Sequence, residues 1–263
     1  MNTFFLDRLN SEPHALAFAG QSTPWPVALA DQSANPALDE ALHTHAAAAQ
    51  ALLYPVSAEL LATTGRPVDL FGFEPNPARL GAAAAASASV PGIALTQLGA
   101  LLDAAALGYN PAQAKPVAVL GHSQGVLAVH MVQAICEAGS IDAAAAKIDE
   151  ILAIATLIGV AGTRQARQLG LAARHGEATP MLSVKDITRA QVDALIERVD
   201  GARGPIAVAV TNSATHYVLS GYPEDLAAFG VEVAKEHKRQ AKLREEKVRG
   251  GRVFDPTLEY LDV

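Results

Sequence analysis

The chain has 263 residues, of which 50% are apolar, enough for one large domain or for a domain with a smaller companion. Its formal net charge of −7 argues against general nucleic-acid binding, because that function needs a basic surface. The single cysteine excludes a disulfide framework and a zinc-thiolate site and is typical of a reducing compartment. The first residues lack a basic stretch and a long apolar core, so the sequence predicts no signal peptide and a cytoplasmic location.

The first third of the chain predicts a strand followed by helices. Residues 14–19 form a compact apolar run that predicts a strand ending in a turn, and the Ala-rich segment 35–64 predicts a helix interrupted at Pro55. Residues 81–102 carry no charge and are long enough to span a bilayer. Their alanine content and Pro91 instead favour a loop followed by a buried helix over residues 91–107.

The clearest chemistry lies in residues 116–138. Residues 117–120 predict a short buried strand and residues 126–138 a helix, and between them Gly121-His-Ser-Gln-Gly125 fits the G-x-S-x-G pattern of a nucleophile elbow. Such a turn presents its serine at a strained corner, where the N–H groups at the start of the helix favour a developing oxyanion. We therefore predict that Ser123 is a nucleophile.

The remainder of the chain predicts one long helix and then a smaller unit. The helix covers residues 143–169, and we expect its apolar face, which includes Ile158, to be buried beside the serine. From residue 180 the pattern changes to short units in the order β-α-β-β-α, with a closing strand over residues 258–263, the order of a ferredoxin-like fold. The sequence thus predicts an α/β core with a parallel sheet over residues 1–178 and a ferredoxin-like subdomain over residues 179–263.

A basic segment at residues 238–252 lies inside the smaller unit. It carries seven Lys and Arg residues. We interpret it as a solvated extension, with a docking patch for an acidic partner or for phosphates as the alternative.

Three stretches of the chain together resemble the acyl-carrier-protein acyltransferases, the malonyl and acetyl transferases of fatty acid and polyketide synthesis. They are Phe18-Ala-Gly-Gln-Ser22, Gly121-His-Ser-Gln-Gly125, and Val210-Thr-Asn-Ser-Ala214 with Tyr217-Val-Leu-Ser-Gly221. Within this family the chain is most similar to the N-terminal acetyltransferase domain of bacterial type I fatty acid synthase. That likeness lies in Ser89-Val-Pro-Gly92 with Leu95-Thr-Gln97, Leu157-Ile-Gly-Val-Ala-Gly-Thr163 and Lys247-Val-Arg-Gly-Gly251.

The resemblance implies an α/β-hydrolase-like core and a ping-pong acyl transfer. Ser123 would attack the thioester of an acyl-CoA, and the phosphopantetheine thiol of an acyl carrier protein would then take the acyl group. The backbone N–H groups of Gln21 and Gln124 would form the oxyanion hole, while His122 and Asn212 would belong to the substrate pocket. The first motif ends in Ser22, where the family usually has glycine.

The acyl group is predicted from one position on the long helix. Family members that accept malonyl carry an arginine there, which pairs with the free carboxylate. The matching residue in this sequence is Ile158, which suits an uncharged acetyl group. A shift of the alignment by one or two turns would bring Arg164 or Arg167 to the position instead.

The family's general-base histidine has no counterpart in these 263 residues. It would follow the last predicted strand, and we expect His130, His216 and His237 to point away from the serine or toward solvent. We therefore expect the base to lie beyond Val263, in a longer multienzyme, and expect the 263 residues alone to be a poor catalyst. Partner domains, a carrier protein and a homo-oligomeric assembly are implied, with FMN and NADPH bound only in other domains and no cofactor, metal, nucleic acid or membrane bound here.

Three alternatives stay open at this stage. A malonyl or palmitoyl transferase of the same family would share every motif. A serine esterase or thioesterase of the α/β-hydrolase type would also carry G-x-S-x-G, but would need an acid and a histidine on loops after later strands. A non-catalytic docking module would keep the fold without the reaction.

Overall fold

The computed structural model describes residues 8–20, 25–56, 70–71, 86–168, 180–199, 203–246 and 254–261. The chain divides into two compact units, Met1–Arg167 and Gln168–Val263. The boundary predicted between residues 178 and 179 lies outside the described residues and stays a prediction.

Along the first unit, helices lie between two strands. In chain order the elements are β1 (Ala15–Phe18), α1 (Trp25–Ser33), α2 (Pro36–Leu52), a 3₁₀ turn (Tyr54–Val56), α3 (Ala86–Ala106), α4 (Pro111–Ala114), β2 (Ala118–Gly121), a 3₁₀ turn (Ser123–Gly125), α5 (Val126–Ala138) and α6 (Ala145–Gln168). β1 and β2 pair in parallel, from Ala15 opposite Ala118 to Phe18 opposite Gly121. Parallel neighbours need a crossover, and α1 to α4 lie within that crossover. The predicted α/β class is confirmed.

Local sequence determines where several of these helices begin and end. Asn35 and Asn110 each precede a proline at the first helical position, and each asparagine side-chain oxygen accepts a hydrogen bond from the N–H two residues later. Gly139 ends α5 with a φ of 88°, and its N–H donates to the carbonyl of Ile135.

Helix α3 is the central helix of the first unit and contacts α1, α2 and α5. Its length and composition would allow it to cross a membrane, but 67% of its most apolar window is buried inside the protein, as in a core helix. Its predicted start at residue 91 is wrong, because the helix begins at Ala86 and contains Pro91. The hydroxyl of Thr163 on α6 accepts from the N–H of Ser87 at 2.9 Å, which satisfies a donor of the first turn and lets the helix start earlier.

The second unit forms an antiparallel sheet with two helices. Its elements are β3 (Met181–Lys185), α7 (Arg189–Ile196), β4 (Ala207–Ser213), β5 (His216–Ser220), α8 (Pro223–Glu246) and β6 (Thr257–Tyr260), and the strand order is β4-β5-β3-β6. This is the predicted order of elements, and its identification as ferredoxin-like stays a prediction. Alternate side chains of β3 and β5 enter the core with α7 and α8: Leu182, Val184, Tyr217 and Leu219.

Helix α8 is longer than predicted and takes up the first part of the basic segment. Its described side chains there include Lys238, Arg239 and Lys242, and the guanidinium of Arg239 pairs with Glu236. Residues 247–252 of the segment lie outside the described residues.

Glu236 joins α8 to α7. The residue is 7% exposed, and its carboxylate accepts from Arg239 at 2.6 Å, from Gln240 at 2.8 Å and from Arg198, next to α7, at 2.9 Å. The hydrogen bond from Arg239 is the main cause that lowers the pKa of Glu236 from 4.5 to about 2, against the opposing effect of burial. A carboxylate with a lowered pKa stabilises the folded state above its ordinary pKa, and this contribution disappears as the pH falls toward the folded-state value.

Glu236→Gln should therefore lower the free energy of unfolding of the second unit by about 1–2 kcal/mol at neutral pH, because it removes the charge from these hydrogen bonds. The loss stays in this range because solvent partly screens the half-exposed arginines. The difference from wild type should shrink as the pH falls from about 4.5 toward about 2. Urea unfolding at neutral pH and at about pH 3 measures both effects. Glu259→Gln is the control, because its exposed pair with Lys185 at 3.3 Å should contribute less than about 0.5 kcal/mol. A Glu236→Gln difference that does not change with pH would contradict this account.

Candidate active site

Ser123 lies at the corner between β2 and α5. β2 ends at Gly121, a 3₁₀ turn covers Ser123–Gly125, and α5 begins at Val126. Ser123 has a φ of 55°, in the left-handed region that residues other than glycine rarely adopt, and its side chain is exposed. An exposed serine in a strained conformation between a strand and a helix is the geometry of a nucleophile elbow.

Three glycines allow the backbone to approach this corner closely. A Cβ on Gly121 would lie 2.6 Å from the carbonyl oxygen of Gly125, and a Cβ on Gly125 would lie 2.8 Å from the carbonyl oxygen of Ala19. A Cβ on Gly20 would lie 2.7 Å from the Cβ of Ser123. These distances are shorter than real side chains allow, so the loop after β1 packs directly against the elbow only because no side chain intervenes.

One backbone hydrogen bond joins the same two segments, and a second closes the elbow itself. The N–H of His122 donates to the carbonyl of Phe18 at 3.0 Å, and the N–H of Gly125 donates to the carbonyl of His122 at 2.9 Å. Gly20 is buried, and a Cβ there would lie 3.3 Å from the backbone nitrogen of Gln124. The loop that leads to the predicted oxyanion donor Gln21 therefore reaches the elbow, while Gln21 itself lies outside the described residues.

The predicted pocket residues of the first unit have different surroundings. His122 is exposed, whereas Gln124 is half-buried with an amide Nε2 that has no hydrogen-bond partner among the described residues. Ile158 is 51% exposed, so its predicted burial is wrong. Gly159, which packs against the backbone of Ala86, lies on the buried side of α6 and leaves Ile158 at the edge of that side.

Ile158 belongs to an exposed apolar strip of α6. Ile154 is 49% exposed and Leu157 is 43% exposed, one turn before and directly before Ile158. Arg164, the first alternative for the acyl-selecting position, is exposed, and the side chain of Arg167 lies outside the described residues. Ile158 thus remains available to contact a ligand at the surface of the helix.

In the second unit, Asn212 lies at an irregularity of the β4–β5 ladder, between the paired residues Thr211 and Ser213. Its Nδ2 is 3.3 Å from Nε2 of His216, and the same ring nitrogen is 3.1 Å from Oγ of the buried Ser183. The prediction that His216 faces solvent is wrong, since its ring is half-buried beside these two side chains. Asn212 and Ser123 belong to different units, and their shared pocket stays a prediction.

Two other histidines and the acidic side chains provide neither a base beside Ser123 nor a metal site within the described residues. His130 is exposed on α5, and Nδ1 of His237 lies 3.8 Å from Asp255 in the second unit. Within the described ranges, no cluster of three or more His, Cys, Asp or Glu side chains could hold a metal ion.

Gln97 also contacts the loop that packs on the elbow, a role that its sequence did not predict. It lies on α3, and its Nε2 donates to the carbonyl of Ala19 at 2.6 Å, next to Gly20. The resemblance of Leu95-Thr-Gln97 to the synthase domain was the one available signal, because no local pattern connects two residues 78 positions apart.

Comparison with known proteins gives this geometry its context. Residues 180–260 match the family model described as the fatty acid synthase central AT domain. The fatty acid synthase beta subunit hexB of Dothistroma septosporum is 30% identical over 128 residues, which are 44% of this chain and 7% of that protein. The resemblance to the acyltransferase family is confirmed.

Solved acyltransferases are similar at lower identity. The malonyl-transacylase in complex with a type II PKS acyl-carrier protein, PlMCAT:AntF, is 17% identical with a TM-score of 0.49, over 84% of this chain and 59% of that chain. The malonyl CoA-acyl carrier protein transacylase of Coxiella burnetii is 18% identical with a TM-score of 0.49, over 85% of this chain and 58% of that chain. The chain thus spans less than two thirds of the length of these acyltransferases and a small fraction of hexB.

Gly20→Ala should destabilise the first unit by about 2 kcal/mol or more, because the new Cβ would overlap the elbow and force the two loops apart. Denaturant unfolding followed through the fluorescence of Trp25, the single tryptophan and a buried residue of this unit, measures the loss. Gly108→Ala is the control: its φ of 94° costs about 1 kcal/mol, but a Cβ there meets no atom within 4 Å. A Gly20→Ala protein as stable as wild type would refute the close contact.

Proposed function

We propose that this chain transfers an acyl group from an acyl-CoA thioester to the phosphopantetheine thiol of an acyl carrier protein, through an acyl-enzyme on Ser123. The observation that carries the proposal is the strained, exposed Ser123 at the β2–α5 corner, with the glycine loop after β1 packed against it. The match of residues 180–260 to a fatty acid synthase acyltransferase domain supports the same reaction class.

The chemistry follows from the corner. A general base takes the hydroxyl proton while Oγ of Ser123 attacks the thioester carbonyl, and the tetrahedral oxyanion collapses with departure of the CoA thiolate. The N–H of Gln124, with that of Gln21, stabilises the oxyanion by about 3 kcal/mol per donor, the value found when such a donor is removed from other acyl-transfer enzymes. The carrier thiol then attacks the ester by the same route and regenerates the serine.

The acyl group that we propose is acetyl, which makes this the priming step of fatty acid synthesis. Ile158 is half-exposed on α6 and carries no charge, so it could contact a methyl group but could not pair with the free carboxylate of malonyl. His122, directly before Ser123, belongs to the proposed substrate pocket.

The proposed partners are those of a multienzyme. The similarity to hexB, a fatty acid synthase beta subunit, supports a place for this chain within a cytoplasmic synthase, where a carrier protein domain accepts the acyl group. The solved transacylase in complex with its carrier protein supports the carrier as a direct partner. FMN and NADPH would act in other domains of a homo-oligomeric synthase and would not bind to these residues.

Ser123→Ala should abolish acyl-enzyme formation, because it removes the only atom that can carry the ester in this mechanism. Brief incubation with labelled acetyl-CoA, acid quenching and peptide mapping of the protein at its natural length measure the bound label. Ser140→Ala, which replaces a surface serine whose hydroxyl accepts from the N–H of Ala143, should label like wild type. Label retained by Ser123→Ala would refute the nucleophile, and rapid release of free acid from wild type would indicate a thioesterase.

Ile158→Arg should raise the rate of malonyl transfer relative to acetyl transfer by about tenfold, since a guanidinium in the pocket can pair with the malonyl carboxylate. The ratio of kcat/KM for the two CoA esters measures the change. Ile154→Arg lies one turn away on the same exposed strip and should leave the ratio within about twofold of wild type. An unchanged ratio in Ile158→Arg would remove Ile158 from the acyl pocket.

A further inference from the structure

Gln97 reaches from the central helix to the loop that packs on the elbow. Its Nε2 donates to the carbonyl of Ala19 at 2.6 Å, while its Oε1 is buried with no hydrogen-bond partner among the described residues. A buried amide oxygen without a partner costs about 1–3 kcal/mol. Gln32 has the same kind of unpartnered oxygen, so the role of Gln97 rests on the group that its hydrogen bond holds, the carbonyl directly before Gly20.

The bond fixes one peptide unit of the loop. The carbonyl of Phe18 accepts from the N–H of His122, the next carbonyl, that of Ala19, accepts from Gln97, and Gly20 follows in contact with the elbow. Because the peptide bond is planar, a fixed Ala19 carbonyl also fixes the nitrogen of Gly20. The anchor therefore sets the peptide plane from which the conformationally free Gly20 continues along the elbow.

Gly20 in turn limits where the reacting groups can be. A Cβ on Gly20 would lie 2.7 Å from the Cβ of Ser123 and 3.3 Å from the backbone nitrogen of Gln124. The loop therefore lies directly against the nucleophile and against the N–H that we assign to the oxyanion hole. If the Ala19 carbonyl were released, the bond from His122 to Phe18 would still join the two segments, but Gly20 would be held less closely against Ser123 and the Gln124 amide.

We propose that Gln97 is a positioning residue for acyl transfer, which holds the Ala19–Gly20 peptide against Ser123 and the Gln124 amide so that both keep the geometry of the transition state. This inference rests on the proposed function. Gln97 acts through the backbone, so its loss should lower the rate of the chemical step and leave substrate binding largely unchanged.

The chain offers a matched control on the same helix. Nε2 of Gln32 on α1 donates to the carbonyl of Thr96 at 2.9 Å, and Oε1 of Gln32 is likewise buried without a partner among the described residues. Its side chain packs on Gly99 of α3, not on the loop after β1. Replacing either glutamine by methionine removes the same kind of hydrogen bond at a similar side-chain volume.

The experiment compares Gln97→Met and Gln32→Met in the protein at its natural length, with acetyl-CoA as the acyl donor and acyl-enzyme formation on Ser123 followed by quenched flow. We expect Gln97→Met to lower the maximal acylation rate by about tenfold or more with KM within about threefold of wild type, as for misplaced reacting groups. Gln32→Met should keep the acylation rate within about twofold of wild type. If Gln97→Met does not fold, Gln97→Asn, which keeps the amide and shortens its reach, is measured in the same way.

Each result decides one question. A wild-type acylation rate in the Gln97 variant, a change confined to KM, or an equal loss in both methionine variants would overturn the inference and leave the proposed function intact. Absence of acyl-Ser123 in the wild-type protein would refute the proposed function and this inference with it.

Discussion

The absence of a side chain at Gly20 is the constraint on which the candidate site depends. The pairing of β1 with β2 brings Phe18 opposite Gly121, so the segments that follow both strands emerge at the same edge of the sheet. In parallel sheets, this carboxyl edge is where ligands bind. Backbone packed on backbone at this edge places a strained serine next to amide groups, which is the arrangement that acyl transfer requires.

The second unit is held together by contacts between side chains of its helices and its sheet. Its antiparallel sheet is closed on one face by α7 and α8, and Glu236 connects these helices through arginines of both segments. The β4–β5 irregularity turns Asn212 toward His216, away from a regular ladder position. This unit carries the match to the fatty acid synthase acyltransferase domain, so the region with the recognised sequence and the region with the predicted nucleophile are separate parts of one chain.

The sequence was most informative where local patterns determine structure. The elbow, the strand before it and the β-α-β-β-α-β order of the second unit all follow from short-range signals: glycine spacing, apolar runs and changes of periodicity. The predicted burial of that strand is wrong, since Val117 is 72% exposed and Leu120 is 59% exposed. The sequence was least informative where a contact with a residue far away in the chain determines the local structure. The start of α3 depends on the hydroxyl of Thr163, and the burial of His216 depends on Ser183 across the sheet. Helical periodicity also predicted that Ile158 lies within the buried face of α6. The periodicity alone could not show that Gly159 packs against Ala86, a contact that leaves Ile158 at the edge of that face.

The central claim is that Ser123 carries an acyl group on its way between two thiols. The most direct measurement is a single-turnover chase, in which the protein at its natural length is charged with labelled acetyl-CoA and then mixed with a phosphopantetheinylated carrier protein. The account predicts that label leaves the peptide containing Ser123 and appears on the carrier thiol in equal amount. Label that never reaches this peptide, or that leaves it as free acetate while the carrier stays unlabelled, would contradict the account.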